Sequence, residues 1–576
     1  MNRPMMGFNF AVSVTGHRDI HKENFGRVEK QFRNQINKLI GDLGAENFEL
    51  ITSLASGADT LATKIALEEK IQVRIILPAP IKIYRDDFKG KDLITFDQII
   101  KIASTSQKII IEEIPLPPGY RNKTFSDQKE RNIIYVRLME FLIRRSNLII
   151  AIWDGRFIGE EGGTSEVVRN YLRVKKNQSR EMHLFSKKER GEISSNLVIW
   201  IPCRRQPQRG LVSKNVEYLF SEDPSDKIWR AKNRPNSLRE RTLEFREIAE
   251  KINKFKEYSV HSLIPNPDQK IRKDLKVIDY LFGLTNLTAL KFQKSSDNSF
   301  IFLSLLGGFT GFTYLVYAEI TQLKLLLVLY VIIIMLSFLF FRSTKKSGVF
   351  KFHLASRNIA ELLRLRFFAR LSGVDAQEEF RFSELIDEFR FSSFSTSRAI
   401  ADLVRSSEPL ACDMSSKPSE DLEEVREKWL IDQVKYFSMK GKNLSENIRK
   451  ISFLKAFLLP SSLLQAILLL FFSNELQNIS FLGLNLQAIS LFIMGLFPLM
   501  LAIWELYENK KASRELQWQY FDQNKFFEKG VRQFDQAPSI EEKQKVISKI
   551  IRQSVSELYQ WMLHRYHREH DPPRGK

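Results

Sequence analysis

Three short segments of the chain combine glycine with hydroxyl, imidazole, guanidinium or carboxylate side chains. They are Thr15-Gly16-His17-Arg18, Ser56-Gly57-Ala58-Asp59, and Asp154-Gly155 followed by Gly162-Gly163-Thr164-Ser165-Glu166. Glycine lets a backbone approach a phosphate without interference from Cβ, hydroxyls add hydrogen bonds, and arginine supplies a fixed positive charge. Taken singly, each segment is more typical of a turn or a helix N-cap. Together they predict a site for a phosphorylated ligand if they meet in the fold.

The segments follow predicted strands. From residue 10 to residue 201, short β-rich runs alternate with amphipathic helical stretches, the pattern of parallel strands with crossover helices. We therefore predict an α/β fold with a doubly wound, Rossmann-like parallel sheet at the N-terminus, which binds ligands outside the carboxyl ends of its strands. The predicted strands are Phe10–Val14, Glu49–Thr52, Val73–Leu77, Lys108–Ile111, Leu148–Trp153 and Leu197–Ile201.

The candidate ligand-binding residues come from these three segments, and Asp59 among them has two possible roles. It lies in the first turn of a predicted helix, so it is either a partner of the helix dipole or a contact to a ribose hydroxyl. No catalytic residue and no metal ligand is predicted. The candidates are Thr15, Gly16, His17, Arg18, Ser56, Gly57, Ala58, Asp59, Asp154, Gly155, Gly162, Gly163, Thr164 and Glu166.

Four apolar runs are long enough to cross a bilayer, which takes roughly 20 apolar residues in a helix. We predict an all-α membrane region with four transmembrane helices, arranged as two hairpins because the connections within each pair are short. Gly307 and Gly311 form a GxxxG pair that predicts close helix packing in the first run. The runs are Phe300–Ala318, Leu323–Phe341, Ala456–Phe472 and Ile479–Trp504.

Basic residues flank these runs on one side of the predicted membrane. Because Lys and Arg beside a span stay on the cytoplasmic side, we predict a multi-pass protein of the inner (cytoplasmic) membrane with both termini in the cytoplasm. The flanking residues are Lys291, Lys294, Arg342, Lys345, Lys346, Arg449, Lys450, Lys455, Lys510, Lys511 and Arg514.

The overall charge is basic, with 88 Lys and Arg against 68 Asp and Glu in 576 residues, a net +20. This charge suits nucleic acid, anionic lipid or phosphorylated ligands. Since much of the excess flanks the spans, membrane orientation already explains it, and a nucleic-acid partner is not expected. The only two cysteines, Cys203 and Cys412, exclude a disulfide-rich scaffold.

The order of motifs in the N-terminal third resembles the SLOG family. The motifs are VTGHRDI, LASGADTLA, LPAP with Tyr84 and Asp87-Phe88, a helix containing Tyr135, LIIAIWDG and GEEGGTSEVV. SLOG domains are related to the LOG phosphoribohydrolases and to DprA, and resemble the nucleotide-sensing domains of Thoeris defence proteins and melastatin-type TRP channels. The LOG signature PGGxGTxxE is shortened here, with no proline before Gly162, so the resemblance implies nucleotide binding without turnover.

The C-terminal half resembles proteins in which a SLOG domain is fused to SLATT-type two-helix membrane hairpins. The stretches that carry this resemblance are RNIAELLRLRFF, WLIDQVKYF and ELYQWMLHRYHRE. The two resemblances imply a membrane effector of a nucleotide-signalled, antiviral defence system. Its cytoplasmic domain senses a nucleotide signal, such as an ADP-ribose derivative or a cyclic nucleotide, and its transmembrane helices form a pore or disrupt the bilayer.

The implied partners are the small nucleotide ligand, the lipid bilayer and further copies in a homo-oligomer. A separately encoded enzyme would make the signal, and no cofactor is expected. The predicted domains are a nucleotide-sensing domain over residues 1–210, a helical connector over 211–290, a first transmembrane hairpin with cytoplasmic helices over 291–450, and a second over 451–576. Two alternatives stay open: a membrane-tethered LOG-like phosphoribohydrolase that uses Glu166 and Arg18, and, less favoured, a DNA-binding DprA-like protein.

Overall fold

The computed structural model divides the chain into two compact units that are discontinuous in sequence. The first takes the chain up to Thr288, then Ala355–Ser416 and the short stretch Val555–Tyr559; the second takes Ala289–Leu354, Lys417–Ser554 and the residues from Gln560 onward. The described residues are 7–570 apart from 117–127, 158–160, 175–183, 187–195, 206–213, 222–227, 257–261, 264–271, 377–379, 391, 393, 411–417 and 482.

A nine-stranded, mostly parallel sheet forms the centre of the first unit. The strand order is β4-β3-β2-β1-β5-β7-β8-β9-β6, and the two pairings β7–β8 and β8–β9 are antiparallel. The strands are β1 (Phe10–Gly16), β2 (Phe48–Thr52), β3 (Gln72–Leu77), β4 (Ile109–Glu113), β5 (Leu148–Trp153), β6 (Leu184–Ser186), β7 (Leu197–Pro202), β8 (Glu217–Phe220) and β9 (Ile228–Ala231).

This architecture confirms the predicted fold class. The six predicted strands are β1 to β5 and β7, each with ends within two residues of the prediction. Residues of β5 and β7 are buried throughout, which explains why the sequences of these strands are almost entirely apolar. Strand β2 is equally buried, and its Glu49 is paired with Arg74 and Arg145. The segment 211–290 is not only helical, because it also contributes β8 and β9 to the sheet.

Helices of the first unit connect and cover these strands. The most buried is a helix in which every residue from Thr396 to Ser406 is buried. The helices in chain order are α1 (Lys22–Leu43), α2 (Ala58–Glu68), α3 (Ile81–Tyr84), α4 (Gly90–Thr105), α5 (Gln128–Arg145), α6 (Thr164–Tyr171), α7 (Asn236–Asn253), α8 (Lys273–Val316), α9 (Lys324–Ser347), α10 (Val349–Leu371), α11 (Phe382–Leu385), α12 (Asp387–Arg390) and α13 (Ser395–Ser406).

Boundaries between the units fall within α8, α10 and α18 (Ile540–His570), so each of these helices contributes residues to both units, while α9 belongs to the second. The remainder of the second unit is helical apart from a two-stranded turn, β10 (Ser480–Phe481) and β11 (Leu484–Asn485). Its further helices are α14 (Pro418–Val425), α15 (Asp432–Asn478), α16 (Leu486–Lys511), α17 (Ser513–Gln536) and α18 (Ile540–His570).

Among the described residues, four helical segments are long and apolar enough to cross a membrane: Lys273–Thr321, Lys324–Leu371, Glu420–Asn478 and Leu486–Glu508. Apolar side chains on them are largely exposed, for example Leu325 at 76%, Phe453 at 80% and Leu470 at 76%. Such surfaces need lipid around them. The chain therefore has four candidate membrane-spanning helices, as predicted, and fits a multi-pass membrane protein.

Two details of the spans differ from the predictions. The fourth helix begins at Leu486, because the preceding residues form the β10–β11 turn, whose Gly483 has a φ of +82°. In the first span, Gly311 packs closely against another helix: a Cβ there would lie 2.5 Å from Leu499 of α16. Gly307 faces open space. The second glycine that packs against α16 is Gly308, where an added Cβ would lie 3.0 Å from Ile503.

Candidate functional site

The strand order reverses between β1 and β5. Strand β1 pairs with β2 on one side and with β5 on the other, and all three are parallel. Parallel sheets bind ligands at such a switch point, because the connections from the two strands leave in opposite directions and open a crevice. The first predicted segment spans the end of β1, the second lies in the loop and helix start after β2, and the third begins directly after β5. The parallel sheet therefore brings all three predicted segments to one edge.

Glycine is required where the first two segments meet. Gly57 has a φ of +77°, and a Cβ there would lie 2.4 Å from the carbonyl oxygen of Arg18. A Cβ at Gly16 would lie 2.4 Å from Cβ of Ala58. The N–H of Ala58 donates to the carbonyl oxygen of His17 at 3.1 Å. These contacts lock the N-terminus of α2 against the end of β1, which fixes the floor of the crevice.

His17 and Asp154 connect the ends of β1 and β5. Nε2 of His17 lies 3.1 Å from the N–H of Asp154 and 3.2 Å from its Oδ1. Burial acts to raise the pKa of Asp154, but hydrogen bonds from His17 and from the N–H of Arg156 outweigh it and hold the pKa below its usual value. Oδ2 of this carboxylate is buried and has no hydrogen-bond partner in the described part of the chain. It is an unused acceptor at the switch point.

Arg18 is held by residues outside the predicted set. Its Nη2 donates to the hydroxyl of Tyr135 at 2.5 Å, and its Nη1 lies 3.5 Å from Asp87. Tyr135 in turn donates to Asp87 at 2.8 Å, and Arg131 pairs with the same carboxylate at 2.8 Å. Burial, more than the neighbouring charges, raises the pKa of Tyr135 to about 12. The guanidinium of Arg18 is therefore positioned beside a neutral phenol and one shared carboxylate.

Tyr84 brings a second unused polar atom to this cluster. Its side chain is fully buried, its ring packs edge-on against Phe88, and its hydroxyl has no hydrogen-bond partner among the described residues. Burial raises the pKa of Tyr84 well above its usual value, and Tyr135, Arg18, Asp59 and Asp87 are close enough to act on it. A neutral hydroxyl can both donate and accept. Leaving it unpaired costs roughly 1 to 3 kcal/mol, which a ligand contact would recover.

The side chain of Asp59 contacts the loop that follows β2. Its Oδ2 accepts hydrogen bonds from the N–H of Ser53 at 3.1 Å and from the Ser53 hydroxyl at 2.5 Å. Burial raises the pKa of Asp59. The loop that it holds contains Leu54 at a φ of +55°, a conformation that costs a bulky residue about 1 to 3 kcal/mol and that clusters at functional sites. Asp59 therefore shapes the loop after β2. Ser56 is half-buried in that loop.

The segment from Gly162 to Glu166 forms the N-terminal end of α6. The N–H of Gly162 donates to Oε2 of Glu166 at 2.7 Å, and Arg169 pairs with Oε1 at 3.1 Å. Gly162 has a φ of +74°, and a Cβ there would collide with Tyr135. Gly163 precedes the helix, and Thr164 lies 3.3 Å from Thr15 between their hydroxyl oxygens. Gly155, at a φ of +85°, lies against the ring of Trp200.

The arrangement offers a cation at Arg18, helix N-termini at α2 and α6, an unpaired carboxylate oxygen at Asp154 and an unpaired hydroxyl at Tyr84. Arginine and helix N-termini bind phosphate, whereas a carboxylate accepts hydrogen bonds from hydroxyls such as those of a ribose. Tyr84, Asp87, Arg131 and Tyr135 are additions to the predicted set. In the described residues no group of three or more His, Cys, Asp and Glu could hold a metal ion.

Fold and site together define a chain with an N-terminal Rossmann-like α/β domain, a polar crevice at its switch point, and a membrane-spanning helical region. Comparison with protein-family models gives no match, and searches of the curated proteins and of the solved structures give none either.

Proposed function

We propose that the protein is a membrane effector whose cytoplasmic SLOG-like domain senses a nucleotide-type signal and whose transmembrane helices, joined to SLATT-like cytoplasmic helices, then form a pore or disrupt the bilayer. The signal is a ribose phosphate compound such as an ADP-ribose derivative or a cyclic nucleotide, made by a separate enzyme, and the setting is an antiviral defence system. The proposal depends mainly on two buried polar atoms that have no hydrogen-bond partner among the described residues, Oδ2 of Asp154 and the hydroxyl of Tyr84, the latter near Arg18.

The geometry of this crevice supports a ligand with both hydroxyls and phosphate. Asp154 would accept from ribose hydroxyls, because a carboxylate repels phosphate. Arg18 follows His17 directly in the chain and would bind the phosphate, aided by the positive end of the α2 helix dipole. The hydroxyl of Tyr84 would form a hydrogen bond with a further polar group of the ligand.

The contacts of Glu166 help to decide between sensing and the main alternative function, that of a membrane-tethered hydrolase. Both of its carboxylate oxygens are engaged, one by the N–H of Gly162 and one by Arg169. A carboxylate that acts on a water or a glycosidic bond has to reach the reacting atoms. The observed contacts favour a structural role for Glu166, and therefore sensing over hydrolysis.

Helix α5 supports a connection from the crevice to the helical segment that follows the second span. Near one end it carries Arg131 and Tyr135, which contact Asp87. At the other end of α5, Arg145 donates to the carbonyl oxygen of Glu408. Arg145 is ten residues beyond Tyr135, which corresponds to about 15 Å along the helix. A ligand that shifted Tyr135 would thus act on a helix that contacts the segment containing Glu408.

That segment is joined to the membrane region through α9 and α10, which are separated by Gly348 alone. A ligand can shift an equilibrium only through different affinities for its two states. The proposal therefore requires that the ligand bind one arrangement of α5 and the segment 355–410 better than the other.

The experiment is binding to the full-length protein in detergent micelles, measured by calorimetry with a panel of ADP-ribose derivatives, cyclic nucleotides and nucleoside monophosphates. We expect one class to bind wild type and to bind Asp154→Asn at least tenfold more weakly, since a charge-assisted hydrogen bond is lost. Products should be analysed in the same samples. Turnover of a nucleoside monophosphate would favour the tethered hydrolase, and equal binding by the variant would place the ligand elsewhere.

A further inference from the structure

A group of buried arginines lies at the opposite edge of the sheet from the candidate site. Asn147, which directly precedes β5, lies at this edge. Its carbonyl oxygen accepts a hydrogen bond from the hydroxyl of Tyr171 at 2.8 Å. Around Tyr171 are four guanidinium groups and two carboxylates that act on one another electrostatically. We call this set the arginine cluster; its members are Arg173, Arg241, Arg390, Arg405, Asp387 and Asp402.

Each carboxylate of the arginine cluster already has an arginine of its own. Arg241 pairs with both oxygens of Asp402, and Arg173 pairs with Asp387. Among the side chains that the structure describes, four guanidinium groups thus face two carboxylates, and two positive charges have no carboxylate of their own. A buried charge without a partner costs several kcal/mol, so this excess needs an explanation.

In the described part of the chain, Arg405 donates hydrogen bonds to neutral acceptors only, although Asp387 and Asp402 act on it from further away. Its nitrogens donate to the carbonyl oxygens of Ile143 and Arg144, in the last turn of α5, and to Oδ1 of Asn196 at 3.0 Å. Its guanidinium lies 5.3 Å from the ring centre of Tyr171. The negative end of a helix dipole stabilises such a cation less than a full counter-charge does.

Arg390 has no such compensation. It is 4% exposed, and its Nε and Nη2 are buried without any hydrogen-bond partner in the described residues. Burial, reinforced by the positive charges of Arg405 and Arg241, lowers the pKa of Arg390 to about 9, so the side chain is still charged at neutral pH. Two adjacent donors on one guanidinium match two oxygens of a single oxyanion.

We propose that the arginine cluster binds a phosphate group, with Nε and Nη2 of Arg390 as its bidentate donors and Arg405 as the second positive charge. A phosphate carries about −1.5 to −2 charges at neutral pH, which matches the two uncompensated guanidinium groups. The group belongs to inorganic phosphate or to a phosphate monoester.

This site is separate from the candidate site at the switch point. The two lie at opposite ends of β5, whose six residues extend about 20 Å. The arginine cluster instead joins α12 and α13 to Tyr171 of α6, and Arg241 joins it to α7. A phosphate bound there would stabilise the attachment of α12 and α13 to the sheet.

The test uses full-length protein in detergent micelles and inorganic phosphate as the probe, with sodium chloride at equal ionic strength as the reference. All proteins carry Arg18→Ala, which removes the cation at the switch point. We expect about one phosphate per chain by calorimetry and a rise in the unfolding temperature that chloride does not give. Adenosine monophosphate as a second probe distinguishes a monoester site, if it binds tighter than phosphate, from a site for the free ion.

Arg390→Gln in this background should weaken phosphate binding at least tenfold and abolish the rise in unfolding temperature. Arg381→Gln, an exposed arginine of the same segment, is the matched control and should change neither. Arg390→Gln should unfold no earlier than its parent without phosphate, because it removes an unpaired buried charge. Arg390→Lys keeps the charge without the paired donors and should bind with intermediate affinity. Unchanged binding in Arg390→Gln, or no effect of phosphate beyond that of chloride, would overturn the proposal.

Discussion

Nη1 of Arg18 lies 3.5 Å from the carboxylate of Asp87, although one residue follows β1 and the other follows β3. Tyr135 bridges them, since its hydroxyl accepts from Arg18 and donates to Asp87. The arginine is thus positioned before any ligand arrives, with a single carboxylate that it shares with Arg131. A preorganised cation of this kind loses little side-chain entropy on binding phosphate.

Replacing Arg18 by alanine should therefore weaken binding of the nucleotide ligand by about tenfold or more, the loss of one charge-assisted hydrogen bond. The matched control is Arg205→Ala, which removes an arginine that pairs with Asp19 near the same edge. Calorimetry on both variants measures the effect. If Arg205→Ala and Arg18→Ala weaken binding equally, the effect is one of general charge and Arg18 is not the contact.

Tyr84→Phe should weaken ligand binding without destabilising the protein. The hydroxyl that it removes is buried and unpaired among the described residues, so the folded state loses no hydrogen bond there. Tyr171→Phe is the control, since it removes a hydroxyl that donates to Asn147 and should cost about 1 kcal/mol of stability with no change in nucleotide affinity. Thermal unfolding and calorimetry on both variants separate the two effects. A Tyr84→Phe protein that unfolds earlier and binds normally would mean that the hydroxyl serves the fold.

Gly311→Ala should destabilise the membrane region, whereas Gly307→Ala should not. A Cβ at Gly311 would lie 2.5 Å from Leu499, while one at Gly307 meets open space. Overpacking costs about 1 to 3 kcal/mol, and the gain in helix propensity is the same at both positions. Unfolding of the two variants in detergent gives the comparison. Equal stabilities would show that α8 and α16 do not pack through Gly311 in the protein.

Asp402→Ala should be strongly destabilising, by about 3 to 5 kcal/mol, because it leaves the buried guanidinium of Arg241 without its carboxylate. Asp97→Ala removes a carboxylate from an exposed pair with Arg85 and should cost far less, because water screens that pair. Chemical unfolding followed by tryptophan fluorescence reports both values. Similar small losses in the two variants would show that α13 is held to α7 mainly by its apolar contacts.

Much of the fold could be predicted from the sequence because its signals are local. Strands such as β5 are buried on both faces and read as uninterrupted apolar runs, and the spans are long apolar runs with basic flanks. Strands β8 and β9 could not, since each has only four residues, too few for a clear strand pattern in the sequence. The GxxxG spacing predicted close helix packing, and Gly311 does pack against α16. The spacing could not show that Gly308, rather than Gly307, is the second glycine in that contact.

The candidate site could be predicted only in part. Glycine and polar residues directly after strands are a local pattern, and the parallel topology brings them together. The contacts of Arg18 with Tyr135 and Asp87 depend on how α5 packs, because Tyr135 lies 117 residues from Arg18 and 48 residues from Asp87 in the chain. The inward orientation of Asp59 depends on the hydroxyl of Ser53, which no spacing rule singles out.

The most direct test of the central claim, that ligand sensing and membrane action belong to one protein, is dye release from liposomes that contain the purified full-length chain. The account predicts little release from the protein alone, rapid release when the nucleotide identified by calorimetry is added, and no such response in Arg18→Ala at the same ligand concentration. Release that is equally large without ligand, or absent with a ligand shown to bind, would contradict it.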